Sequence, residues 1–133
     1  MKIFIVLFFL LSPLLCHEFV VIANKKMPTL SPLQIKAIFL KKLTIVNDIN
    51  IVPLNLNAQN KTRLIFEQNI LHMSFERLKN YWSKQHYLGH RPPISMHSQQ
   101  SVKKFVKKVD GAIGYIDANL VDDDIKIIYK WSE

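Results

Sequence analysis

Hydrophobic and polar positions along the chain switch repeatedly between a period of two and a period near 3.6, and this sets an alternating order of strands and helices. Phe19 to Ala23 is a short β-branched run that predicts a buried strand. Asn24 to Thr29 is polar, carries Pro28 and reads as a loop. Ser31-Pro32-Leu33-Gln34 then opens a helix. Ser31 suits the cap, Pro32 the first helical position and Gln34 the reciprocal side of a capping box. Leu30 and Ile35 stand at the spacing of a hydrophobic staple, and Ile35, Ile38 and Phe39 mark the core face of a helix running to about Lys42.

Ile49 to Leu56 predicts a second strand, in which Pro53 requires an edge position or a local irregularity because it has no N–H to donate. After a turn at Asn57–Asn60, a helix is expected over Lys61 to His72, with Phe66, Ile70 and Met73 at i, i+4, i+7. Ser74 caps the next, where Phe75, Leu78 and Trp82 recur at i, i+3, i+7, and Gly89 with Arg91-Pro92-Pro93 ends it. Ser98 or Ser101 starts a last helix faced by Val102, Phe105, Val106 and Val109, with Gly111 as its left-handed stop. Ala112–Ile116 and Ile125–Tyr129 read as closing strands. The layout is α/β with a mixed sheet flanked by helices, in one domain.

The first sixteen residues follow another pattern. Met1-Lys2 is followed by an unbroken apolar run from Ile3 to Leu11, then by Ser12-Pro13 and Leu14-Leu15-Cys16. A positive start, a short apolar core and a breaker describe a secretory signal peptide, so residues 1–16 are read as a leader and 17–133 as the folded domain. The run is shorter than the about 20 apolar residues of a membrane span. Association with a membrane would require acylation of Cys16 or an uncleaved leader, and Leu15 is bulky for a lipoprotein site. Every variant places the domain outside the cytoplasm, with a periplasmic location expected.

The chain has 18 Lys+Arg against 10 Asp+Glu, a net charge of +8, so an anionic partner fits its balance. Export argues against nucleic acid, and the lysine pairs 25–26, 41–42, 103–104 and 107–108 are dispersed instead of forming one tract. A single cysteine excludes an internal disulfide. No nucleophile elbow, zinc-protease helix or phosphate loop is present, and no enzymatic activity or cofactor is expected. His86 and His90 lack a third ligand, and Asp122-Asp123-Asp124 lacks calcium-loop spacing and reads as a solvated turn, so no metal site is assigned.

Two polar segments carry chemistry. Asn60, Lys61, Thr62 and Arg63 lie where a strand gives way to a helix, so free backbone N–H groups, a hydroxyl and a planar guanidinium can meet an anion there. The same residues also fit a plain capping role for Asn60 with an Arg63–Glu67 pair at i, i+4. Tyr81, Trp82 and Arg91, with Tyr87 and the two prolines, form either a partner surface or one packed helix face.

Read in order, Phe19–Asn24, Leu30–Phe39, Ile51–Leu54, Thr62-Arg63 with Phe66, Tyr81-Trp82 with Gly89 and Pro92-Pro93, and Gly111–Ile116 resemble the second half of the substrate-binding proteins of phosphate ABC importers, especially short exported relatives. The resemblance covers about residues 19–129. It implies a single lobe of the type 2 periplasmic-binding-protein fold, with phosphate held at the loop before Thr62 and Arg63. That loop is rich in Ser and Gly in full-length members, whereas Ala58-Gln59-Asn60-Lys61 stand here. Weak binding of phosphate or a related small anion, linked to ABC-type transport, is the function this implies. The alternative is an accessory or sensory module that contacts an envelope protein or permease and has lost its solute.

Overall fold

The computed structural model describes residues 17–133, so the leader assigned to residues 1–16 lies outside the described residues. The main sheet has five strands in the order β5-β4-β6-β1-β7. These are β1 (Glu18–Ala23), β4 (Val52–Leu56), β5 (Ile94–Met96), β6 (Ala112–Asp117) and β7 (Lys126–Ser132). A separate hairpin joins β2 (Ile45–Val46) to β3 (Ile49–Asn50). The helices are α1 (Pro32–Phe39), α2 (Lys61–Phe66), α3 (Phe75–Tyr87) and α4 (Gln99–Lys108). β4 runs parallel to β5 and β6, while β1 is antiparallel to both β6 and β7. The sheet is therefore mixed, as the element order implies.

Both faces are covered. On one, Val102 of α4 packs so closely against Gly114 that a Cβ there would come within 2.5 Å of a Val102 methyl. On the other, Tyr115 meets Phe66 and Phe39, as the two-residue period of β6 requires. β1, an inner strand between β6 and β7, accordingly buries Phe19 through Ala23 without a break. Among the described residues no helix is long and apolar enough to cross a membrane.

The start of α1 forms as its sequence dictates. Gln34 N–H donates to Ser31 Oγ at 3.2 Å, and Ser31 N–H donates to Gln34 Oε1 at 2.9 Å. Its end is a Schellman closure: Lys42 N–H reaches Ala37 O at 2.8 Å and Lys41 N–H reaches Ile38 O at 3.0 Å. Lys41 takes the left-handed position at φ +60°, where glycine is the unstrained residue. Ser98, of the two serines considered, caps α4.

Four expectations are corrected. The strand foreseen over Ile49–Leu56 is two strands, because Asn47 and Asp48 at φ +47° and +62° turn a tight hairpin that takes residues 49–50. The helix expected to reach His72 changes character after Phe66: Glu67–Leu71 is a π-helical turn closed by His72 at φ +53°. Gly111 is not a left-handed stop. It is the point where β6 enters against the β3–β4 connection, and a Cβ there would lie 1.7 Å from Asn50 O. The three aspartates at 122–124 are also more than a solvated turn, since Asp122 accepts Lys107 at 2.7 Å and Lys103 at 3.1 Å, tying α4 to the segment before β7.

Pro53 has a precise solution. β4 is an inner strand, and Val52 N–H already points toward β6, bonding Gly111 O at 2.8 Å. The next residue faces the β5 side, where pairing begins only at Leu54 opposite Ile94, so no donor is missed.

Gly111→Ala is expected to cost roughly 3 kcal/mol, because the clash is with the Asn50–Ile51 backbone, which cannot rotate away as a side chain would. Urea unfolding checks it, and a loss within error of zero would mean that the two segments separate freely. Hydrogen bonds from Lys107 and Lys103 hold the Asp122 carboxyl at about 2, below its ordinary 3.8. A depressed carboxylate adds stability above its unfolded value and loses it as pH falls through the folded one. Asp122→Asn should therefore flatten the acid limb of the stability profile between those values, measured by thermal melts at stepped pH.

Candidate functional site

The three parallel strands end on the same side of the sheet, at Leu56, Met96 and Asp117. Ligands of open α/β sheets bind at such carboxyl ends. Here the following segments bring together Asn60–Arg63 after β4, Gln99 after β5 and Asp117 at the end of β6. Position is set from below. Phe66 stacks flat on Tyr115 with ring centroids 4.0 Å apart, and the Tyr115 hydroxyl donates to Asn55 Oδ1. Leu56 N–H reaches the same pair at 3.1 and 3.2 Å, so α2 is held against the end of β4. Burial pushes the Tyr115 hydroxyl pKa well up, which keeps it a neutral donor.

The four residues expected to meet an anion do not all face solvent. Asn60 caps the helix, accepting Thr62 N–H at 2.9 Å, and Lys61 is exposed. Thr62 is 7% exposed, and its hydroxyl lies 3.4 Å from Gln99 Nε2. Arg63 donates through Nε to Glu67 Oε1 at 2.8 Å and through a terminal N–H to Leu56 O at 2.9 Å. Its side chain is 20% exposed and that of Glu67 is 6% exposed. The capping and ion-pair alternative is thus formed in full. Backbone N–H groups of Lys61 and Arg63 have no protein acceptor among the described residues.

Sequence reasoning missed the neighbours. Gln99 accepts Asp117 N–H at 2.7 Å through Oε1 and donates to Asp117 Oδ2 at 3.3 Å, so it bridges Thr62 to Asp117. Asp117 Oδ1 is buried without a hydrogen bond, and His17 Nε2 lies 3.2 Å away. Nothing local marks Gln99 or Asp117 in the sequence, because their meeting depends on strand order. Electrostatically the site is mixed: Glu67 neutralises Arg63, and Asp117 adds negative charge behind Gln99. Two amides and a lysine are thus the donors left free there, and the neighbouring carboxylates oppose added negative charge.

Tyr81 and Trp82 are brought together, edge to face with centroids 5.0 Å apart. Tyr81 is largely structural, since its hydroxyl donates to Leu40 O at 2.6 Å and pins α3 to the end of α1. Arg91 does not join them. It stands exposed beyond the Gly89 turn and makes no hydrogen bond or ion pair among the described residues.

Comparison with known proteins now bears on this geometry. No family model and no curated protein matches the sequence. Solved structures do. An ABC-type phosphate transport receptor from Vibrio cholerae superposes with a TM-score of 0.67 at 18% identity, over 84% of this chain and 45% of that one. A putative phosphate ABC transporter substrate-binding protein from Clostridium perfringens, solved with bound phosphate, gives 0.68 at 26% identity, over 85% and 45%. The fold is a single lobe of the type 2 periplasmic-binding-protein fold. The chain thus resembles phosphate transporter substrate-binding proteins while spanning less than half the length of the two solved ones. Both of these solved neighbours are described as phosphate transport proteins.

Removing one partner of the Arg63–Glu67 pair leaves a buried charge. Arg63→Ala is expected to lose about 3 kcal/mol, and the Arg63→Met, Glu67→Leu double variant to recover most of it. Urea titration of the three proteins decides this. A single-variant loss below about 1 kcal/mol would mark the pair as solvated.

Proposed function

We propose that this protein is an exported, periplasmic solute-binding-protein-like domain that takes a small oxyanion such as phosphate, weakly, at Asn60–Arg63 in connection with ABC-type transport. One observation carries the reading. In a fold shared with a phosphate-bound protein, α2 starts at the carboxyl end of β4 with the amides of Lys61 and Arg63 lacking internal acceptors. Exposed Lys61 adds positive charge beside them. Weakness follows from the pairing of Arg63 with Glu67 and from Asp117, because the guanidinium is already spent and a carboxylate lies near. Export rests on the leader pattern of residues 1–16.

A second reading is supported by the same pair. If Arg63 serves only to bury Glu67 and to hold Leu56 O, the lobe is an interaction module without solute. It would then meet an envelope protein or permease, with Tyr81, Trp82 and Arg91 on the contacting side.

Phosphate titration of the isotopically labelled protein, purified from the envelope in its processed form, separates the two. The first reading expects saturable shifts at the amides of Lys61 and Arg63 at millimolar phosphate, reduced in Lys61→Gln. Flat spectra at those amides would reject it and leave the interaction module.

A further inference from the structure

A second feature, independent of the α2 start, lies between α1 and α3. A cleft of about 300 Å³ is lined by Lys36, Leu40 and Lys42 from α1 and its closure, and by Met73, Arg77, Asn80, Tyr81 and Lys84. Four of these residues are cationic and none is acidic. Among the described residues, none of the four has a carboxylate within ion-pair distance. Single unpaired lysines stand elsewhere on the surface, but here four cations line one concavity with no acid among its lining residues. Converging like charges repel, and a cleft with apolar walls concentrates their field.

The walls also specify shape. Leu40 and Met73 are buried, and Tyr81 is half-buried with its hydroxyl already committed to Leu40 O. Tyr81 therefore offers its ring face and not a polar tip, and Lys42 Nζ lies 5.9 Å from that ring's centroid. Two backbone devices build this arrangement. The left-handed Lys41 brings Lys42 back over the helix end, and the π-helical turn closed by His72 places Met73. The volume is at the lower end of organic-ligand sites, which have apolar linings and a few placed polar groups.

We propose that this cleft is a second ligand site, for a phosphate ester that carries an apolar body. The phosphate meets Lys36, Lys42, Arg77 and Lys84, with Asn80 as a neutral donor, and the apolar body rests on Leu40, Met73 and Tyr81. A soluble organic phosphate and a phospholipid headgroup share this chemistry, and the test distinguishes them.

Phenyl phosphate is titrated into the labelled envelope-purified protein, and sedimentation with phosphatidylglycerol vesicles is compared with phosphatidylcholine vesicles. Saturable shifts at Leu40, Met73 and residues 77–84 with phenyl phosphate support a soluble ligand. Capture by phosphatidylglycerol alone, without a phenyl phosphate response, supports a headgroup. In either case the Lys36→Gln, Arg77→Gln double variant should bind at least roughly tenfold more weakly, while Lys130→Gln, at an exposed lysine outside both sites, binds as the parent does. Failure of both probes, an unchanged double variant, or shifts confined to residues 60–63 would overturn the proposal. Loss of phosphate binding at α2 would not touch it.

Discussion

The flat stack of Phe66 on Tyr115 is the contact from which the functional end of the molecule is built. It joins the first turns after β4 to the centre of the sheet, and its hydroxyl reaches Asn55 and the Leu56 amide at the strand's last residues. Phe39 packs edge-on against Phe66, and Trp131 tilts against it from β7. One ring system therefore couples α1, α2, β6 and β7. The orientation of α2, and hence of the Lys61 and Arg63 amides, is a consequence of core packing instead of loop chemistry. A loop without the small residues of a phosphate cradle can still present a helix start in the right place.

That placement is separable from charge. Arg63 lies in the first turn of α2, and its N–H groups are directed to Glu67 and Leu56 O. A buried pair of this kind contributes little net stability, since desolvation offsets attraction, but it fixes geometry strictly once formed. Four other cations, Lys36, Lys42, Arg77 and Lys84, surround the α1–α3 cleft with no acid among its lining residues.

Much of the architecture was legible because it rests on local chemistry. Ser31 and Ser74 cap the helices they were expected to cap, Ser98 is the one of two candidate serines that caps α4, and Gly89 has the positive φ of a helix stop. The Phe19–Ala23 run is the buried strand that an uninterrupted β-branched stretch describes. What escaped reading depends on distant partners. Gly111 is needed because Asn50 passes against it, a meeting created by β4–β6 pairing. β5 is only three residues long after two prolines, too short to show a period. The π-helical turn keeps an unbroken helical pattern in sequence while changing which side chains follow it. Gln99 and Asp117 were invisible as site residues for the same reason, being adjacent only after β5, β4 and β6 align their ends.

The same distinction explains why resemblance reached the fold more readily than the ligand. A sheet order and its packing tolerate wide substitution while hydrophobic volume and pattern are kept. An oxyanion site depends on a few donors without competing acceptors. With Gln59, Asn60 and Lys61 in the loop and Arg63 bonded to Glu67 and Leu56 O, donor availability is set by side chains outside the hydrophobic core. The lobe can thus keep its full architecture while the donors at its strand ends change. Positive charge around α1 and α3 follows no such constraint from the core, so the two surfaces are free to diverge.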